Sequence, residues 1–298
     1  MTTKVDYLTA KRTIDDRALD RRVWDRFVAA LPDGDRDDPV RIVEVGAGVG
    51  SMIARLAAWE SLPPNVSYRA VDLDSACVTA ARERLPHWLE DAGYDVERHT
   101  ERLVATQVDG NDETQLEVTL EVADGFALDD DADAVIAAAV FDLVDLESAL
   151  ARVRGLLRDG GVLYAPITFD GGTGFAPAHP LDGRIERHYH RHMDEIRDQP
   201  GSSRAGRELL EVVPESGFDV VAAGGSDWLV RPRNGGYPAD EATVVAHVLE
   251  TIEGALADYP PSVLEPDVCD RWLETRRTQL DRGDLVFVAH HLDVLARA

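Results

Sequence analysis

Gly46, Gly48 and Gly50 fall at alternate positions directly after the apolar run Val40 to Val45, and a helical pattern opens after them at Met52. That order reads as strand, tight turn and helix. Glycines suit a turn on which a ligand presses, because a Cβ would block the approach, and they tolerate positive φ. The helix that follows offers unpaired N–H groups to the same ligand. A second β-prone run over residues 66–74 ends in Asp72-Leu73-Asp74. A carboxylate at the end of a second strand can accept both hydroxyls of a ribose, so turn and acid together describe a nucleoside-type site. The dinucleotide fingerprint G-x-G-x-x-G does not fit: its third glycine would fall at Ser51, and here it comes one residue early.

The pattern Glu44-x-Gly46-x-Gly48-x-Gly50 resembles motif I of class I S-adenosylmethionine-dependent methyltransferases. The resemblance implies that the turn, with Gly46, Ala47, Gly48 and Gly50, wraps the methionine part of the cofactor while Glu44 helps fix its amino group. It makes Asp72, beside Leu73, the ribose acid. In Ala123-Asp124-Gly125-Phe126 it assigns Asp124 to the adenine amino group and the next backbone N–H to a ring nitrogen, with Phe126 packing on the ring. The run 133–142 matches the family's fourth strand and the start of its acceptor loop, with Ala138 counted in the cofactor set. Members that methylate amides or base amino groups commonly carry there an acid or amide, two prolines and an aromatic. This chain has Ala138-Ala139-Val140-Phe141, which argues against such nitrogen acceptors. A leucine-rich helix over 146–157, the turn Arg158-Asp159-Gly160-Gly161 and a strand over 162–169 extend the resemblance across residues 15–170.

The elements that must position these residues follow from periodicity. Helical spacing is expected over 15–31, 50–60, 76–85, 182–197, 204–215, 240–257 and 266–280. β-Prone arms at 102–108 and 115–123 flank Asp109-Gly110-Asn111-Asp112, a hairpin signal. The second arm is read as the third core strand and the first as an insertion beside it. Residues 171–180 read as a Gly/Pro-rich loop, 218–230 as a sixth strand and 284–292 as a seventh. The expected fold is α/β: a seven-stranded Rossmann-like methyltransferase sheet, mostly parallel with the last strand antiparallel between the fifth and sixth. Helices cover both faces. The whole chain, 1–298, is expected to be a single domain with a cofactor core at 15–170, a lid or acceptor region at 171–215 and a helical insertion at 239–282.

A sulfonium methyl donor is already activated, so such an enzyme contributes mainly by holding the acceptor atom against the methyl carbon. A base is needed only where the acceptor must lose a proton. Candidates are Asp142 after the fourth strand, Asp170 after the fifth, and His188 or His192 on the following helix. His188 and His192 are four apart and share a helical face, a metal-compatible spacing for which no third ligand is identifiable, so no metal is expected. Near the N-terminus Tyr7, Lys11, Arg12 and Thr13 form a locally basic stretch, in which Arg12 is a candidate for a carboxylate of cofactor or substrate.

Composition sets the limits. The 298 residues carry 56 acidic and 31 basic side chains, a formal net charge of −25, and Lys4 and Lys11 are the sole lysines. This acid-rich, lysine-poor balance is similar to that of proteins from extreme halophiles. It disfavours nucleic acid or an anionic membrane as partner. Two cysteines are too few for a disulfide framework. The longest uncharged apolar run, 134–141, is too short to span a bilayer, and no apolar signal core opens the sequence, so a cytoplasmic location is expected. The function expected is methyl transfer from S-adenosylmethionine to oxygen or nitrogen of a small-molecule acceptor. The alternatives are an aminopropyl-transferase-like enzyme, which lacks its acidic pair after the fourth strand, a nicotinamide-dependent oxidoreductase, and a non-catalytic module that binds the adenosyl cofactor.

Overall fold

The computed structural model describes residues 2–100, 102–109 and 112–298. The chain opens with three short helices, α1 (Lys4–Ala10), α2 (Arg12–Ala18) and α3 (Arg21–Val28). The single helix expected over 15–31 is thus broken, and Asp20 is the reason: its Oδ1 accepts the Val23 amide at 3.0 Å and starts a new helix there. α3 buries Val23, Trp24 and Phe27. Phe27 stacks on Tyr164, 4.6 Å between ring centroids, which fixes the helix against the middle of the sheet.

Then come β1 (Val40–Val45), α4 (Ser51–Ala58), β2 (Asn65–Asp72), α5 (Ser75–Asp91), β3 (Asp95–Arg98), β4 (Arg102–Asp109) and β5 (Asp112–Val122). Gly110 and Asn111, the centre of the hairpin signal, lie outside the described residues. The chain continues through β6 (Ala132–Ile136), α6 (Leu146–Leu156), β7 (Leu157–Ala176), α7 (Asp182–Arg191), α8 (Ala205–Glu215), β8 (Asp219–Gly225), β9 (Trp228–Val230), α9 (Glu241–Ala257), α10 (Pro266–Asp281) and β10 (Val286–Arg297).

The strands form one sheet in the order β3-β4-β5-β2-β1-β6-β7-β10-β8, with β9 also paired to β10. Neighbours from β5 to β7 are parallel. β10 runs antiparallel between β7 and β8. The seven-stranded Rossmann-like methyltransferase frame is therefore present as β5-β2-β1-β6-β7-β10-β8, but the sheet has ten strands rather than seven. β4 pairs antiparallel with β5 as the inserted arm, and β3 pairs in turn with β4. The expected sixth strand over 218–230 is interrupted where the Ser226 amide turns to the His291 carbonyl at 2.9 Å, which leaves β9 as a separate piece.

The expected loop at 171–180 is strand as far as Ala176. β7 and β10 pair from Val162↔Arg297 to Ala176↔Val286, with register shifts opposite residues 289–291 and 292–294. Gly171 and Gly172, at φ of 85° and 66°, absorb the first shift. The second brings Asp293 against the chain at Ile167, whose amide it accepts at 2.8 Å.

Alternate residues of β7 face opposite layers: Val162 and Tyr164 join a core with α3, α4, α5 and α9, while Leu163 and Ala165 join one with α6 and α8. Cys77 and Cys269 are buried free thiols. Among the described residues no helix is long and apolar enough to cross a membrane.

Candidate functional site

A cavity of about 780 Å³ opens beyond the carboxyl ends of β1, β2, β5 and β6 and beside β7 at Ile167, Phe169 and Thr173, the place where open α/β sheets receive ligands. Its first half is built by the turn after β1. Gly46, Gly48 and Gly50 have φ of 70°, 55° and 82°, so all three take the left-handed conformation. A Cβ on Gly46 would meet Val140 at 2.7 Å, and one on Gly48 would meet Leu8 of α1 at 3.1 Å. Gly46, Ala47 and Gly48 line the cavity. Gly50 does not: it caps α4 and faces Ala81 and Leu85 of α5.

Acids surround this turn. Asp72, 8% exposed at the end of β2, accepts the Gly48 amide on Oδ2 and the Asp74 amide on Oδ1, each at 2.8 Å. A carboxylate has about four acceptor sites, so capacity remains for two hydroxyls. Glu44 is 2% exposed on β1 and accepts the Tyr68 hydroxyl at 2.8 Å; burial pushes its carboxyl up to about 8 against the lowering effects of Tyr68 and Arg55. Asp124, exposed after β5, accepts the Phe126 amide at 3.0 Å. Leu73, Gly125, Phe126 and Ala138 also border the cavity.

Three cations border it as well. Lys4 lies 3.8 Å from Asp72 and 3.5 Å from Asp74. Arg55 of α4, 3% exposed, pairs with Asp16 at 2.6 Å and leaves Nη2 buried without a partner. Lys11 pairs with Asp15 at 2.9 Å. Arg12, a candidate for a carboxylate, is absent from the lining and lies over the Trp88 ring at 4.7 Å. Arg55 escaped sequence reasoning because it sits inside an apolar helical run, where an arginine reads as the solvent face.

The second half is aromatic, with Phe169, Tyr189, Trp228 and Phe287 on its walls and Tyr7 stacked on His247 at 4.2 Å. Asp142 opens into it from a single turn of helix after β6. Its Oδ1 is buried without a partner, and burial raises its carboxyl above the ordinary range. The Tyr7 phenol is raised far above its ordinary range, first by burial and then by the negative charge of Asp15 and Asp142. Ile167, at the end of the parallel part of β7, is held at φ 56° on the cavity wall, an unusual conformation for a β-branched residue.

The other base candidates lie elsewhere. Asp170 is 4% exposed and faces away from the cavity, where both its oxygens receive Arg207 Nε at 2.9 and 3.1 Å. It fastens α8 to β7. His188 packs against the Tyr259 ring at 4.8 Å, and His192 Nε2 lies 2.7 Å from Asp258. Both sit on the side of α7 and the turn after it that meets α9 and the segment following it, whereas Tyr189 and Met193 take the positions facing the cavity.

Sheet order, glycine turn and strand-end acids define a Rossmann-like, nucleoside-cofactor fold. A methyltransferase-domain family profile matches residues 43–163. The malonyl-[acyl-carrier protein] O-methyltransferase of Geobacter sulfurreducens is 31% identical over 208 residues, which make up 66% of this chain and 66% of that protein. Among solved structures, geranyl diphosphate C-methyltransferase from Streptomyces coelicolor, in complex with Mg²⁺, geranyl diphosphate and S-adenosyl-L-homocysteine, is similar over 93% of this chain and 78% of its own, at 13% identity and a TM-score of 0.44. The YcgJ protein of Bacillus subtilis is similar over 93% and 98% respectively, at 12% identity and a TM-score of 0.48. The chain belongs to the class I S-adenosylmethionine-dependent methyltransferases.

Proposed function

We propose that the protein transfers the methyl group of S-adenosylmethionine to an oxygen or nitrogen of a small-molecule acceptor held in the aromatic half of the cavity, with Asp142 as the base. The observation that carries this is the joining of two unlike halves in one cavity: an acid-ringed glycine turn and an aromatic chamber. The residues present fit the cofactor. Gly46 and Gly48 line the cavity where an added Cβ would crowd Val140 and Leu8, Glu44 and Asp72 are acceptors suited to an ammonium and to ribose hydroxyls, and Asp124 is an acceptor suited to an adenine amino group. Arg55 Nη2, an unpartnered buried donor, is suited to the amino-acid carboxylate. Bound there, the cofactor supplies an activated methyl group.

The chain's own work is then positioning and proton removal. Apolar walls exclude water and orient the acceptor, an effect that reaches ~7–11 kcal/mol in favourable cases. Asp142, raised by burial, is a stronger base than a solvated carboxylate, and its free Oδ1 can take the acceptor's proton. An oxygen acceptor is in keeping with the O-methyltransferase activity for which the Geobacter relative is named. The helices α9 and α10, inserted between β9 and β10, serve in this reading as a cap, since His247 and Thr251 of α9 line the acceptor half. Residues 15–170 act as the cofactor core of a single domain.

The test is turnover with S-adenosylmethionine and a panel of small acceptors in molar potassium chloride. Asp142→Asn is expected to lower kcat about 10²-fold or more on hydroxyl acceptors while cofactor affinity is kept. Full activity in that variant would remove Asp142 from the role of base.

A further inference from the structure

The acceptor half carries more information than its shape, and it bears on which molecule is methylated. Three of its polar side chains come from three different elements: Asp142 from the turn after β6, His247 from α9 and His291 from β10. In each a side-chain atom is buried without a partner, namely Asp142 Oδ1, His247 Nδ1 and His291 Nδ1. Buried polar groups are nearly always hydrogen-bonded, and leaving one without a partner is costly. Three such atoms on the wall of one cavity mark places where a ligand completes the bonding. His291 is 5% exposed and wedged between the rings of Phe169 and Trp228, at 5.5 and 4.8 Å between centroids. Its ring is therefore fixed in direction, and its Nδ1 cannot swing to water.

Charge is the second observation. Lys11 is the cation nearest to these rings, 5.5 Å above Trp228, and Asp15 neutralises it at 2.9 Å while also accepting Trp228 Nε1 at 3.0 Å. Burial holds both histidines neutral at pH 7, His291 down to about 4 and His247 below its ordinary range. An anionic acceptor would meet the carboxylates of Asp142 and Asp15; the one lysine or arginine lining this half, among the described residues, is Lys11, already paired with Asp15, while Arg197 lies behind Asp142 and donates to the Asp142 and Pro200 carbonyls. An aromatic ring would instead meet the faces and edges of Phe169, Trp228, Phe287 and Tyr189.

We propose that the acceptor is an uncharged hydroxylated aromatic ring, with His291 and His247 as the residues that hold its polar groups and select against charged analogues. This rests on the methyltransferase reading above and names its substrate class.

The test uses two probes built on one ring system, 2-naphthol and 2-naphthoate, titrated calorimetrically at pH 7 in molar potassium chloride into protein loaded with S-adenosylhomocysteine. The naphthol is expected to bind at least about tenfold more tightly than the naphthoate, a difference of ~1.4 kcal/mol. His291→Leu and His247→Leu are each expected to weaken the naphthol about fivefold or more, the loss of one hydrogen bond, with S-adenosylhomocysteine affinity unchanged. Should His291→Leu fail to fold, His247→Leu on the partly exposed α9 still reads the effect. Equal or tighter binding of the naphthoate, unchanged naphthol binding in the folded variants, or binding of neither probe by protein that holds S-adenosylhomocysteine would each overturn the proposal. Failure to bind S-adenosylhomocysteine at all would instead strike the methyltransferase reading, while the ratio of the two probes on the unloaded protein would still report on the aromatic half.

Discussion

Asp72 is a single carboxylate shared between a turn, a helix start and the cavity. It holds the Gly48 amide and the start of α5 through Asp74, and it borders the cavity. Asp72→Ala is expected to weaken S-adenosylmethionine binding about 100-fold, from two charge-assisted hydrogen bonds of ~1.5 kcal/mol each, with the circular-dichroism spectrum kept. Unchanged affinity in a folded variant would refute the ribose role. Glu44 gives a prediction in pH. Burial raises it to about 8, so at neutral pH the free protein holds the proton, whereas an ammonium beside it favours the ionised form. Binding should then release a proton, and affinity should climb by up to about tenfold per pH unit below 8 and level off above it. Calorimetry in buffers of different ionisation enthalpy would show the release, and Glu44→Gln should flatten the profile. Both acids were legible because each stands at a fixed place on a strand whose end must face the ligand. Asp170 was not, since its residue type and position match a base while its side chain points to Arg207. His291 was not either: one histidine in an apolar strand gives no sign of which ring contacts freeze it.

At the level of elements, period and turn chemistry made nearly the whole frame readable. β1, β2, α6 and α9 lie within a residue or two of their expected spans, and the antiparallel last strand follows from the family order. What periodicity could not convey was how far β7 and β10 run together, because two extra residues on β7 at Gly171-Gly172 interrupt the strand pattern and one at Ile167 reverses its alternation. Asp293 holds the second bulge. It is fully buried, and it accepts the Ile167 amide at 2.8 Å and the Asp20 amide at 2.9 Å, tying β10, β7 and the start of α3 together. Asp293→Ala would leave one buried and one partly buried amide without partners, at about 1–3 kcal/mol for the buried one and less for the other. A loss of about 2–5 kcal/mol in urea unfolding is expected. The cavity wall should suffer with it, because Ile167 is kept in its left-handed conformation by that same bond. A loss below about 1 kcal/mol would mean that the strained residue is held by packing alone.

For the molecule as a whole the excess of acid decides the balance. With 31 basic against 56 acidic side chains, pairing cannot neutralise the surface even if every cation finds a partner. Exposed pairs such as Arg36–Glu113 and Arg277–Glu253 each contribute at most about 1 kcal/mol and weaken as salt rises. The repulsion among the remaining carboxylates weakens too, and it acts in the opposite sense. The Debye length falls from about 10 Å at 0.1 M to about 3 Å at 1 M, so both effects fade on the same scale and the larger one sets the sign. A net charge of −25 makes repulsion the larger. The thermal midpoint is therefore expected to rise between 0.1 M and 2 M potassium chloride, at roughly 2–4 °C for each kcal/mol recovered. The largely buried pair Arg55–Asp16 should hold throughout, since salt screens it little. A midpoint that is flat or falling over that range would show that the acidic surface is already balanced in dilute salt, and that its composition records something other than life in brine.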